Sequence, residues 1–593
     1  MPENTDRVLN KVRRRIKKAG LADVQVAELQ GSIQLTGRVA SWSDKVEAGY
    51  MAAGNGFRGV LNDIAVDGVA DSEMSIPAAA DDSLEGRSFD AVIVGGGVVG
   101  CAIARELARY NISIAVLEKE SDLAMQASGR NDGMIHPGFA ASPGTKKAAY
   151  NVRGNRLYTR LAEELDFQLE RPGSILLYRS AWMKLIVPVF RNRCRRNGVD
   201  GNWRSLSKSE VRRMEPNVTK RQQGGFFLPS AGIVSPFRVT IAFAENAAAN
   251  GAEFFLNTAV TGVDSLPAKH NQESYITKVL TNRGRISCGL LINAAGVWSD
   301  KVAEMAGDRF FSIHGRKGTD AILDSSCRPY QNHITGMPSL LNTKNKHSKG
   351  GGLVPCVEGN ILLGPTAEEV PGREDYSTDA RSFDSLLEQL ALNTQFDKSQ
   401  IINYYSGVRA ANWEEDFIIE PSRHVSNLIH AAAIQSPGLA SAPAIAEDVA
   451  AMAVNALENG GMSVGLRKSF NPRRQGIPCV KEMSDEERSE LISRDPSYGE
   501  IMCRCEMVSK GEIRDALHSP VPATTVDGVK RRVRAGAGRC HGGFCLPRVI
   551  KLMAEETGLE LTNITKKGGV SGILCCETKA ESYDADEENG SED

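Results

Sequence analysis

The chain contains no run approaching the roughly 20 apolar residues of a membrane-spanning helix. Its apolar segment near Val92 is broken by glycines and charges. The N-terminus is polar and basic and lacks the apolar core of a secretory leader. Net charge is only −2 over 593 residues, so there is no global field of the kind that draws a protein to nucleic acid. Cysteine is sparse. Of 12 in all, six (Cys101, Cys194, Cys288, Cys327, Cys356 and Cys479) stand singly, which suits reduced thiols in a cytoplasmic protein better than a disulfide framework. With an ordinary apolar content, this length predicts more than one domain.

What is present centres on Phe89 to Lys119, FDAVIVGGGVVGCAIARELARYNISIAVLEK. A buried strand over Ala91 to Val94 runs into Gly95-x-Gly97-x-x-Gly100, a helix to about Tyr110, and a second strand, Ile112 to Leu117, that ends in Glu118. Gly95 allows the tight turn, Gly97 a close approach of backbone to pyrophosphate, and Gly100 close packing of helix on strand. The helix start offers free N–H groups and a positive dipole end to phosphates. Glu118 is placed to accept hydrogen bonds from a ribose 2′-hydroxyl. This unit predicts a dinucleotide site.

Before it, residues 1–69 read as a small α+β domain. A basic amphipathic helix (Asp6 to Gly20, with Val8, Val12, Ile16 and Ala19 on one face) precedes a hairpin turning at Gln30-Gly31, a second helix from Ser43 to Ala53, and a third strand. That order, with Leu35-Thr-Gly37-Arg-Val39 and Gly59-Val60-Leu-Asn62-Asp-Ile64, resembles a BON domain, a type often linked to membrane or partner attachment; a plain adaptor with a solvated basic helix is the other reading. Residues 70–87 are small, acidic and Pro-containing, and read as a linker.

After Glu118 the polar, glycine-rich stretch Ala127 to Phe139 contains Gly129, Arg130, Asn131, Gly133, His136 and Gly138. This Gly-Arg-Asn-x-Gly-x-x-His-x-Gly pattern resembles the flavin-covering region of D-amino-acid-oxidase-like flavoproteins, and within them the L-2-hydroxyglutarate oxidase and anaerobic glycerol-3-phosphate dehydrogenase groups. The resemblance extends over about residues 88–570. It implies FAD held by Gly95, Gly97, Gly100, Glu118, Arg130, Asn131 and Gly133. It also implies that the strand–glycine unit Leu290 to Gly296 brings Ala295 and Gly296 near the pyrophosphate, and that Gly438 and Leu439 start a helix facing the flavin. Further downstream, Glu253 to Val263 reads as one strand. Phe311 to Asp324 and Lys349 to Thr366 read as strands of an antiparallel substrate-pocket sheet, with Arg409 after an apolar strand.

Four cysteines stand in two close pairs, Cys503-Arg-Cys505 and Cys540-His-Gly-Gly-Phe-Cys545. Two thiolates for each iron suit a 2Fe–2S cluster; a Cys₄ zinc site is the alternative. The pairing resembles the bacterioferritin-associated-ferredoxin-like domain, which favours the cluster. Cys575 and Cys576 lie beyond it and read as free thiols.

The fold expected is thus α/β. A Rossmann-type FAD-binding domain with an antiparallel-sheet substrate domain (88–467) follows the N-terminal α+β domain. A linker (468–498), a small iron–sulfur domain (499–560) and a disordered acidic tail (580–593) come after it. The resemblance implies an FAD-dependent dehydrogenase of a small anionic secondary alcohol, glycerol 3-phosphate or a 2-hydroxy acid, which transfers a hydride to flavin N5. His136 is the candidate base, since imidazole titrates near neutral pH; a structural or flavin-contacting histidine is its other reading. Arg316, Lys317, Lys349 and Arg409 are candidates to grip the anion, or else ordinary surface cations. Electrons would pass through the cluster to a partner subunit or carrier, with peripheral membrane association through such partners. An amino-acid or amine dehydrogenase, and a non-catalytic electron-transfer subunit, are the rival readings.

Overall fold

A computed structural model describes residues 5–267, 273–337 and 351–576. The chain divides into two compact units, Met1–Gly476 and Ile477–Asp593. The acidic tail lies outside the described residues.

The first unit opens with helix Thr5–Lys18, strands Gln25–Leu29 and Ser32–Thr36, helix Trp42–Ala52 and strand Val60–Asn62. The first two strands are antiparallel, and Val60–Asn62 runs parallel to Ser32–Thr36. The apolar face of the first helix differs slightly from the sequence reading. Leu9, Val12 and Ile16 are buried, whereas Val8 is half-buried and Ala19 exposed, because a 3–4 spacing follows the helical repeat more closely. Trp413, far along the chain, joins this small core. It stacks on His314 with ring centroids 4.1 Å apart, and a side chain at Gly49 would run into its ring. Ser32 Oγ donates to the Phe310 carbonyl at 2.7 Å, and Arg58 pairs with Asp308 at 2.9 Å. Residues 5–66 are therefore seated firmly on the body that follows them.

That body has two main sheets. In the first, strands Ala252–Phe255, Ile114–Leu117, Ser88–Val94 and Gly284–Asn293 lie side by side and parallel, and Leu428–Ala432 extends the last of them. These strands are continuous apolar runs because helices cover them. The segment read as one strand over Glu253 to Val263 is two, Ala252–Phe255 and Val260–Pro267, separated by a turn with Asn257 at φ +52°. Helices Val98–Leu107 and Lys146–Leu165 both pack against Gly438–Asn459. Gly154 permits the close crossing of the last two, since a Cβ there would strike the Ala440 carbonyl. The second sheet has nine strands and is mostly antiparallel. It is built around His314–Leu323, which pairs with Ile401–Ala411 along nearly its whole length. Its one parallel pair joins Ser174–Leu177 to Ile334–Gly336.

Residues 468–498, expected as a linker, are more ordered than that. Asn471 and Arg474 bond to Asn250 and Glu245 of the first unit, and Asp485–Arg494 is a helix with a Ser484/Glu487 capping box. The second unit has its own core, including Met502, Ile513, Val529, Val549 and Met553, under helices Lys510–Leu517, Val526–Val533 and Leu546–Thr557. Among the described residues no helix is long and apolar enough to cross a membrane.

Candidate active site

The glycine loop lines a cavity in the first unit. Gly95 has φ +111°, where a side chain is strained, and a Cβ there would also meet the Ala294 carbonyl. At Gly100 a Cβ would collide with the Gly95 carbonyl, so this glycine sets the close seating of helix Val98–Leu107 on the strand. Beside Gly97 the nearest group is Ser128 Oγ, which accepts from the Val98 amide at 2.9 Å. Glu118 stands at the end of its strand and lines the same cavity. Its two carboxylate oxygens accept from the Gly96 amide at 2.6 Å and the Glu120 amide at 2.8 Å. Burial pushes this carboxyl up to about 7, against the pull of those amides. A backbone cradle free of Cβ atoms, beside a helix N-terminus and a fixed carboxylate, fits the adenosine diphosphate part of a dinucleotide.

The other predicted cofactor residues, Arg130, Asn131, Gly133, Ala295, Gly296, Gly438 and Leu439, divide by role. Arg130, Asn131, Ala295, Gly296, Gly438 and Leu439 line the cavity. Arg130 Nε donates to the Met125 carbonyl at 2.7 Å, and its guanidinium lies 4.4 Å from the Tyr376 ring centroid. Asn131 works on its own loop. Its amide nitrogen donates to the Ala127 and Ser128 carbonyls, and its oxygen accepts from the Gly133 amide. Gly133 holds φ +66° with the Val234 carbonyl where a side chain would sit, so it shapes the loop rather than the cavity wall. Helix Gly438–Asn459 begins at the cavity, and Tyr158 fixes its first turn by donating to the Leu439 carbonyl at 2.7 Å.

His136 and Arg409 face this space together. His136 Nε2 lies 3.5 Å from Ser436 Oγ. Arg409 sits within strand Ile401–Ala411 rather than after it. Its guanidinium donates to the Thr366 carbonyl at 3.3 Å from both terminal nitrogens and forms no ion pair among the described residues. Its nearest acid, Asp320, is buried. Burial and the Asp132 charge hold that carboxyl well above the usual carboxylate range, against the pull of Arg409. Asp320 is correspondingly weakened as a counter-ion. Gly318 leaves room for Arg409, since a Cβ there would overlap the guanidinium.

The remaining cation assignments require correction. Arg316 does not line the cavity. It is buried, and all three guanidinium nitrogens are taken by Glu369, Glu415, Gln435 and Tyr50. Lys317 is likewise committed, to Asp375 at 2.9 Å and Asp379 at 3.5 Å. Lys349 lies outside the described residues. Sequence reasoning missed Tyr376, Glu374 and Gln435, which also line the cavity. Gln435 is a polar residue that directly follows the apolar run Ala431 to Ile434, the one signal that marked it.

In the second unit, Cys503 and Cys505 are 3.8 Å apart at sulfur, and Cys505 and Cys540 3.6 Å apart. Cys545 is buried, a free thiol within hydrogen-bond reach of Cys503. Gly538 makes room for Cys505, whose sulfur would lie 2.6 Å from a Cβ there. Burial raises Cys540, but the amides of Gly542, Gly543 and Phe544, together with Cys505, draw it below its ordinary value. Cys505 and Cys545 move upward, through burial and neighbouring thiols. Four thiols gathered from two close pairs fit an iron–sulfur cluster, whose irons are held by thiolates. No three-residue group of His, Cys, Asp or Glu among the described residues is arranged for a single metal ion. Cys575 and Cys576 are exposed, 3.7 Å apart at sulfur.

Residues 90–452 match the FAD dependent oxidoreductase family, and residues 501–555 the BFD-like [2Fe-2S] binding domain. A glycerol 3-phosphate dehydrogenase of Caloramator mitchellensis is 36% identical over 495 residues, 83% of this chain and 99% of that protein. An L-2-hydroxyglutarate dehydrogenase of Escherichia coli (strain K12) is 30% identical over 312 residues, 51% of this chain and 69% of that protein. Among solved structures, the FAD-bound L-alpha-glycerophosphate oxidase of Mycoplasma pneumoniae superposes with a TM-score of 0.59 at 23% identity, covering 65% of this chain and 98% of that one. With the match spanning well over half its length, the chain belongs to the FAD dependent oxidoreductase family, as a flavoenzyme that carries both FAD and a 2Fe–2S cluster.

Proposed function

We propose that this enzyme dehydrogenates glycerol 3-phosphate and delivers the electrons to an external acceptor. One observation carries the reading: an imidazole, His136, and a guanidinium that forms no ion pair among the described residues, Arg409, line one cavity with the glycine loop and the Gly438 helix start. Bound in this cavity, FAD would supply the hydride-accepting chemistry, and a 2Fe–2S cluster on the four thiols would supply single-electron transfer. The chain's own residues do the rest. Arg409 holds the phosphate by charge-assisted hydrogen bonds. His136 Nε2 takes the hydroxyl proton. The start of helix Gly438–Asn459 directs its positive dipole end at negative charge arising in the cavity. The name of the Caloramator relative supports the phosphate substrate. A 2-hydroxy acid is the second reading, because the fork of one guanidinium suits a carboxylate equally well.

Anaerobic mixing with a panel of substrates separates these. Glycerol 3-phosphate is expected to bleach the flavin absorbance within seconds, while L-2-hydroxyglutarate and amino acids leave it unchanged. Bleaching by hydroxyglutarate alone would transfer the assignment to the second reading. Bleaching by no small metabolite would overturn both. For the base, His136→Asn is expected to retain FAD and lose about 10²–10⁴ in kcat, with the loss shrinking as pH rises and the substrate hydroxyl needs less help. Full turnover in that variant would remove His136 from the role.

The helix–strand–strand–helix–strand order of residues 5–66 supports the BON-like reading of the N-terminal module. Its seating on the oxidoreductase body favours the adaptor role over a freely swinging attachment arm.

A further inference from the structure

Segment 181–197 presents an apolar stripe that the other described residues leave uncovered. Ala181–Ile186 is a 3₁₀ helix that continues into the α-helix Val187–Asn197. Residues three apart eclipse in a 3₁₀ helix, so Trp182 and Leu185 share one face, and Val189 follows four residues later. These three are 46%, 80% and 61% exposed. The opposite side is the one that fastens the segment: Met183, Val187 and Cys194 are buried with Tyr178 and Phe226. The outward stripe is therefore extra to the core, and contiguous large apolar side chains on a surface mark an interaction site.

The charges around it state the partner's chemistry. Residues 179–197 contain six arginines and lysines and no Asp or Glu. Lys184, Arg191, Arg195 and Arg196 are exposed and form no ion pair among the described residues. The nearest downstream acid, Asp200, is already paired with Arg156 at 2.6 Å. Tryptophan and leucine flanked by unpaired arginines form the pattern of an interfacial helix, whose apolar side chains enter the acyl boundary while the cations meet anionic headgroups.

We propose that segment 181–197 docks the enzyme directly onto an anionic lipid surface. The inference is independent of the substrate reading, since none of these residues lines the cavity. It is tested on the full-length holoenzyme by flotation with vesicles of phosphatidylglycerol and phosphatidylcholine, and with phosphatidylcholine alone. Binding to the anionic vesicles at low salt is expected, weakened by high salt, with a blue shift of tryptophan emission that Trp182→Phe abolishes. Leu185→Glu is expected to reduce vesicle affinity about tenfold or more while the flavin spectrum and substrate bleaching persist. Absence of vesicle binding by the wild type, equal binding to zwitterionic vesicles at high salt, or unchanged binding by Leu185→Glu would overturn the proposal. So would a wild-type dimer that Leu185→Glu splits into monomers, which would make a second copy the occupant of this face.

Discussion

Arg409→Ala is expected to lower kcat/KM for glycerol 3-phosphate by about 30- to 10³-fold while FAD stays bound, because a charge-assisted contact to a buried anion is worth about 2–4 kcal/mol. The structure limits what else the substitution disturbs. Among the described residues Arg409 hydrogen-bonds to the Thr366 carbonyl and forms no ion pair, so its removal breaks no salt bridge. Arg409→Lys retains the charge but not the fork, and is expected to recover about one tenth to one half of the lost efficiency, mainly through KM. Glycerol, which has no phosphate, provides the control: its slow turnover should be nearly the same in wild type and Arg409→Ala. Equal losses for glycerol and glycerol 3-phosphate would assign Arg409 to the flavin rather than to the anion.

Why Arg409 and not Arg316 reaches the cavity could not be read from the sequence. The two are directly opposite in the pairing of His314–Leu323 with Ile401–Ala411, and residues opposite one another on antiparallel strands project to the same face. What separates them is the surroundings each meets. Arg316 meets two carboxylates, Gln435 and a tyrosine from residues 5–66, whereas Arg409 meets the open space preserved by Gly318. Those partners come from four places in the chain, so no local pattern announces them. The glycine loop was legible for the opposite reason. Its turn, helix start and strand lie within about thirty residues, and each glycine answers a local steric demand. The paired cysteines were legible in the same way, through spacing and the small residues around them. The N-terminal module showed its own core through apolar periodicity, but its docking depends on Trp413, which periodicity assigns to another part of the fold. Glu374 and Tyr376 stand in a stretch with no regular pattern and were found only from the folded cavity.

Arg316, removed from the substrate role, gains a larger structural one. It ties Tyr50 of the N-terminal module to Gln435 of the cavity wall through hydrogen bonds of 2.6 and 2.8 Å, with Glu369 and Glu415 closing the network. Arg316→Met leaves two largely enclosed carboxylates without their main cation, and breaking a buried pair from one side costs about 3–5 kcal/mol. The expected result is local: amide exchange across Trp42–Ala52 speeds up by about a hundredfold or more as the module loosens, and substrate efficiency falls as Gln435 loses its anchor. The pH dependence has a definite sign. Burial raises the Glu415 carboxyl, but Arg316, Lys147 and Tyr50 more than reverse this and hold it well below the usual carboxylate range; His314 and Arg316 do the same for Glu369. A depressed folded pKa stabilises above the unfolded value, about 4.3 for Glu, and that stability is lost as pH falls from there through the folded value. Wild-type enzyme should therefore lose protection of the module below about pH 4.3, whereas Glu415→Gln, less stable at neutral pH, should show a flatter acid limb. Exchange in Trp42–Ala52 that is unchanged by Arg316→Met, or an acid limb that Glu415→Gln leaves intact, would show that the module is held by contacts such as Trp413, Ser32–Phe310 and Arg58–Asp308 rather than by this network.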